Sequence, residues 1–184
     1  MTASPRTKLL LLAGIFLLPI VASTLAYLYV RPQPSINYGE LVAPTPAPAV
    51  LLARSDGTPF EFRQLAGHWV LVASDAGSCG KACMEKLVLM RQVRLALGRN
   101  APRVERLFIV EDGRLAPELA AVFPGLVVAT VPAGVKPPNG AGGDRSHVYL
   151  VDPNGNVMMR WPANADGQRM IKDLDRLLRA SQIG

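Results

Sequence analysis

Cysteine and histidine are scarce in this sequence, with two of each among 184 residues. The cysteines, Cys79 and Cys83, stand four apart, so a bond between them closes a very short loop and makes a poor structural staple. Their use therefore points to chemistry rather than to a disulfide scaffold. Aromatic side chains are 6% of the chain, and no block of lysine and arginine is interleaved with them. Nucleic-acid binding is unsupported despite a net charge of +6, which is spread along the chain as on an ordinary solvated surface. No acid–base dyad and no phosphate-binding loop points to a hydrolase or a kinase. No internal repeat is present, and compositional bias is confined to one stretch.

What is present begins with a charge-free run from Leu9 to Val30, preceded by Arg6 and Lys8. At about 1.5 Å per residue such a helix spans a bilayer's hydrocarbon core. Val21, Ala22 and Ser23 resemble a cleavage site, but the apolar run continues past them to Tyr27, Leu28 and Val30, too long for a signal peptide's core. Residues 1–31 therefore read as an uncleaved, single-pass anchor. Basic residues ahead of the span place the N-terminus in the cytoplasm and the remainder in the periplasm, on the outer face of the inner (plasma) membrane. Residues 32–49 hold Pro32, Pro34, Pro44, Pro46 and Pro48, and read as an extended spacer. Residues 50–184 are left for one folded domain.

Within that domain, Pro59 to Phe62 alternates as a strand does, and Trp69 to Ala73 is a compact apolar run expected of a strand buried on both faces. A helical period follows from about Cys79 to Leu97, with Cys83, Leu87, Met90, Val93 and Leu97 on one face and Gly98 as a stop signal. Strands are expected at Arg106–Val110, Leu126–Val131, His147–Val151 and Asn156–Trp161, with a short helix at Ala116–Phe123 and an amphipathic helix at Asp166–Ala180 that keeps Met170, Ile171, Leu174, Leu177 and Leu178 on one face. Pro132 to Gly143, rich in glycine and proline, reads as a mobile loop. Strands that alternate with helices and then turn back as a hairpin imply an α/β fold with a mixed sheet flanked by helices. A cysteine pair directly after the first buried strand is the thioredoxin-like arrangement.

Cys79 at a helix start faces unpaired N–H groups and the positive end of the dipole, which favours thiolate over thiol. Cys83, one turn on, is the more buried, resolving thiol. The pair suits thiol–disulfide exchange or a soft ion such as Cu(I). His147 opens a strand expected near that helix N-terminus, and is either a third ligand beside the cysteines, a proton shuttle, or a satisfied polar residue. Asp75 and Asp144 flank the same region, while His68 reads as a surface residue. The methionines fit core positions better than a copper site.

The N-terminal anchor, the Cys79-x-x-x-Cys83 pair opening a long helix, and the segment Val148-Tyr149-Leu150-Val151-Asp152-Pro153-Asn154-Gly155 together resemble the Sco/SenC family of cytochrome c oxidase assembly proteins. The resemblance implies a thioredoxin-like domain that binds copper through Cys79, Cys83 and a histidine, with His147 as the candidate. It also implies a partner in cytochrome c oxidase subunit II or another assembly factor. Two positions depart from the family pattern. Met84 stands where the family has proline, and Asp144 holds the place of the family's histidine. The expected function is accessory to oxidase assembly, through copper delivery, thiol–disulfide exchange, or both. The alternatives are a general extracytoplasmic thiol–disulfide oxidoreductase and a non-catalytic docking module.

Overall fold

The computed structural model describes residues 4–29, 37–47, 49–132, 134–135, 143–181 and 183. It divides into two compact units, Met1–Ile36 and Asn37–Gly184. The first holds helix α1 (Pro5–Tyr29), whose stretch Pro5–Leu28 has a mean hydropathy of 2.5 and is long and apolar enough to cross a membrane.

The second unit is built on one eight-stranded sheet in the order β1-β8-β7-β4-β5-β6-β2-β3. Its strands are β1 (Glu40–Pro46), β2 (Leu52–Arg54), β3 (Pro59–Phe60), β4 (Trp69–Asp75), β5 (Val104–Val110), β6 (Leu126–Thr130), β7 (His147–Val151) and β8 (Asn156–Pro162). β4, β5 and β6 run parallel, and β7 pairs antiparallel with β4. The expected mixed sheet is therefore what forms. Three helices complete the unit: α2 (Lys81–Ala96), α3 (Pro117–Val122) and α4 (Gly167–Ala180).

Central strands buried on both faces need apolar residues on both, and two clusters supply them. On one face Leu71, Phe108, Val128, Val148 and Leu150 meet Cys83, Leu87 and Met90 of α2, Leu119 of α3, and Met170, Leu174 and Leu178 of α4. On the other, Val70, Val72, Leu107, Ile109, Tyr149 and Val151 pack with Leu52, Phe60 and Val157. That second face is closed by connecting segments, with Phe62 and Leu65 of a 3-10 turn packed against it. All three helices thus lie on the cysteine side of the sheet. Asp166 caps α4 by accepting from the backbone N–H groups of Gln168 and Arg169.

The segment read as spacer, 32–49, departs from that reading where it is described. The compact unit starts at Asn37, and β1 within it pairs with β8. The cause is a buried carboxylate on α4. Asp173, 3% exposed, accepts from Tyr38 N at 3.1 Å, Gly39 N at 2.8 Å and Trp161 Nε1 at 3.1 Å. Gly39 is required there because a Cβ would stand 2.5 Å from Trp161 Nε1. Proline at 44 and 46 is tolerated because β1 is an edge strand. Residues 32–36 and 48, and residues 133 and 136–142 of the stretch read as a mobile loop, lie outside the described residues.

Candidate functional site: a disulfide at the turn into helix α2

β4 ends at Asp75, where the parallel strands end together, and the chain turns tightly toward α2. Cys79 N donates to Ala76 O at 3.0 Å, and Gly77 packs so closely that a Cβ would lie 3.1 Å from both Val110 Cγ1 and Arg114 Cβ. Cys79 then takes φ +35°, alone among the described non-glycine residues in having a positive φ. A left-handed backbone at such a residue costs about 1–2 kcal/mol, so packing on both sides holds the turn in shape. The helix begins two residues later than its period suggests, with Gly80 at the N-cap and Lys81 first in the helix.

Cys79 and Cys83 are joined in a disulfide, with their Cα atoms 5.1 Å apart. Cys79 is 8% exposed and Cys83 is 2% exposed, so an incoming sulfur meets Cys79 first. No side chain caps the helix N-terminus. Once the bond opens, the first-turn N–H groups and the helix dipole are left to stabilise a thiolate at Cys79.

Beneath the pair lies a buried cation that sequence reading missed. Lys86 is 1% exposed, and its Nζ donates to Ser74 O at 2.9 Å, Arg145 O at 2.9 Å and Asp75 Oδ2 at 3.4 Å. Arg145 extends the network, with Nε 2.7 Å from Glu111 Oε2 and Nη1 3.7 Å from Asp75 Oδ1. The spacing held the signal. Lys86 falls three residues after Cys83 and four before Met90, on the buried face of α2.

His147 does not join the cysteines. Val148 and Leu150 share the cysteines' cluster, so alternation turns His147, with Tyr149, to the opposite face. There His147 Nδ1 donates to Asp144 Oδ2 at 2.6 Å, Tyr149 Oη donates to the same oxygen at 2.8 Å, and Ser146 donates to Oδ1 through its main chain at 2.9 Å and also through its hydroxyl. Partial burial pushes the Asp144 carboxyl up, but the donors from Ser146, Tyr149 and His147 outweigh it and hold the group well below the ordinary carboxylate range. Burial and the bond to Asp144 push the Tyr149 hydroxyl up. His68, expected at the surface, is exposed.

A match to the family model described as "Transmembrane-like, thioredoxin-like, C-terminal domain" spans residues 69–181. The chain belongs to this family. In the transmembrane-like, thioredoxin-like family member described here, the matched span runs from the start of β4 through α4 and includes the disulfide. Among proteins of curated function, none matches the chain.

Solved structures share its fold at low identity. ScoI of Arabidopsis thaliana with copper bound is 19% identical, with a TM-score of 0.63 over 74% of this chain and 100% of that one. Yeast Sco1 with copper bound is 18% identical, with a TM-score of 0.62 over 75% and 91%. BsSco, described as a member of the Sco family of cytochrome c oxidase assembly proteins with a disulfide switch, is 18% identical, with a TM-score of 0.55 over 80% and 98%.

The three copper ligands expected from the sequence are not brought together in this structure. The two sulfurs are bonded to each other, and the expected third ligand, His147, lies across the sheet on Asp144. Among the described residues no three His, Cys, Asp or Glu side chains are grouped to hold a metal ion. The expected ligand set of Cys79, Cys83 and His147 is therefore not assembled, because the residue parity of β7 puts the imidazole on the wrong face.

Proposed function

We propose that this chain is a membrane-anchored, Sco-like thiol–disulfide protein that serves cytochrome c oxidase assembly by reducing cysteines of a partner such as oxidase subunit II. The observation that carries the reading is the Cys79–Cys83 disulfide, placed at an uncapped helix N-terminus with Cys79 the more exposed sulfur.

The step runs from the reduced dithiol. Cys79 thiolate attacks one sulfur of the partner's disulfide, that bond breaks, and the partner's other sulfur leaves as a thiolate. Cys83 gives up its proton and attacks Cys79 sulfur, releasing the partner's second thiolate and forming the Cys79–Cys83 bond. Two electrons pass to the partner, and the oxidised pair is the state seen here. An extracytoplasmic dithiol donor restores the thiols.

The apolar helix α1, with Arg6 and Lys8 in its first turn, fits a single-pass anchor that holds the domain on the periplasmic side. The fold shared with BsSco supports the assignment to oxidase assembly. The placement of His147 on Asp144, across the sheet from the cysteines, favours exchange over copper delivery.

The test mixes the reduced full-length chain, in detergent, with the oxidised copper-binding domain of an oxidase subunit II. Loss of thiols from the chain, matched by their gain in the partner and absent with Cys79→Ser, is expected. Comparable reduction of insulin would favour the general oxidoreductase. No transfer to either substrate would leave only docking.

A further inference from the structure

Arg106 sits in β5 on the helix-facing side of the sheet and is 2% exposed. Its Nη2 donates to Pro124 O at 2.7 Å, in the connection between α3 and β6. Its Nε and Nη1 are buried and meet no acceptor. The same is true of Nε of Arg91, on α2. Arg94, three residues further along α2, donates from Nε to Val104 O at 2.6 Å, which fixes its guanidinium at the start of β5. Burial first, and then the repulsion of Arg94 and Arg91, weaken Arg106's hold on its proton, and only Glu105 acts the other way. Glu105 is the next residue on the strand, so alternation turns it to the opposite face.

A buried guanidinium normally finds an acceptor for its N–H groups and a counter-charge. Here Arg106 and Arg91 together leave three buried nitrogens unpartnered, and the charges acting on Arg106 from its own face are positive. The missing component is an anion with several acceptor oxygens. A carboxylate offers one charge and two oxygens in a plane. A phosphate offers more charge and oxygens in several directions, matching donors that approach from β5 and from α2. Arg91 and Arg94 are half-buried on the last turns of α2, and the stem of Arg91, unlike that of Arg94, is free to part and close again.

We propose that Arg106, beside the α3–β6 connection, binds a phosphate group together with the C-terminal half of α2, with Arg106 as the floor of the site, Arg94 beside it and Arg91 closing over it. The phosphate comes from free inorganic phosphate or from a lipid phosphomonoester. The site lies toward the opposite end of α2 from Cys83 and is independent of the cysteines' chemistry.

The test uses the full-length chain in a detergent without phosphate, at constant ionic strength set with chloride. Inorganic phosphate and a short-chain, water-soluble phosphatidic acid are titrated separately by calorimetry and by thermal unfolding. Saturable one-to-one binding of at least one is expected, with a rise in unfolding temperature that chloride does not give. The tighter of the two names the source. Arg106→Met is expected to lose the rise and, without phosphate, to unfold no earlier than the parent. Arg91→Gln, which keeps a polar side chain at this half-buried position, is expected to bind about tenfold more weakly. A response to both ligands no larger than that to chloride, or a full response in Arg91→Gln and Arg106→Met, overturns the site.

Discussion

Lys86 Nζ donates to the main-chain oxygen of Arg145 at 2.9 Å, tying the helix that carries Cys83 to the segment entering β7. The same ammonium holds Ser74 O at the end of β4. One buried cation therefore fixes three elements: α2, the end of β4 and the segment entering β7.

Replacing it tests how much of the site's rigidity it supplies. Lys86→Met keeps the stem's volume but leaves two carbonyls and Asp75 without their donor. A loss of about 2–4 kcal/mol is expected, as for a buried pair broken on one side. Denaturant unfolding of the full-length chain in detergent measures it. A loss below about 0.5 kcal/mol would contradict the anchoring role.

Asp173 makes a similar demand at the β1 edge of the sheet. Asp173→Ala removes the acceptor for Tyr38 N, Gly39 N and Trp161 Nε1, and about 2–4 kcal/mol is expected to go with it. Hydrogen exchange should rise first at residues 38–46, because β1 is held on one edge only.

Much of this was legible in the sequence, for identifiable reasons. The apolar run at Trp69 marked β4 because a strand buried on both faces carries no polar alternation. The period of α2 and α4 marked their buried stripes. β1 was hidden because Pro44 and Pro46 look like spacer, and only an edge position with Asp173 behind it makes a strand of that segment. The start of α2 was hidden because its cap is a glycine with no side chain to announce it, and Cys79 lies outside the helix in a left-handed turn. His147 was assigned to the right strand. That the cysteines lie on the other face depends on packing across the sheet, which alternation along one strand does not reveal.

The Asp144 cluster gives the protein a pH signature. Its carboxyl binds a proton less tightly in the folded state than in the unfolded chain, so the unfolded state takes up more protons in acid. The stabilisation is complete above the ordinary value of 3.8 and is lost as pH falls through the depressed folded value. Asp144→Ala is expected to cost about 1–2 kcal/mol at pH 7, with the gap to the parent closing below about pH 4. A gap independent of pH would show that the carboxylate's charge is not what stabilises the segment before β7.

Reduction of the disulfide is expected to be a mild structural event. The loop it closes is short, so opening it should lower stability by about 2 kcal/mol or less. Unfolding curves with and without a reductant check this, and a collapse of the fold on reduction would assign the bond to structure instead of exchange.

The most direct test of the central claim is a trap for the mixed disulfide. The full-length Cys83→Ser chain, reduced and inserted in membranes that contain an assembling oxidase, lacks the resolving thiol. Non-reducing gels and mass spectrometry should find it covalently joined through Cys79 to subunit II or to another assembly factor, with no such adduct from Cys79→Ser. The absence of any adduct from Cys83→Ser, or equal adducts from both variants, would contradict a nucleophilic Cys79 and remove thiol–disulfide exchange as this protein's function.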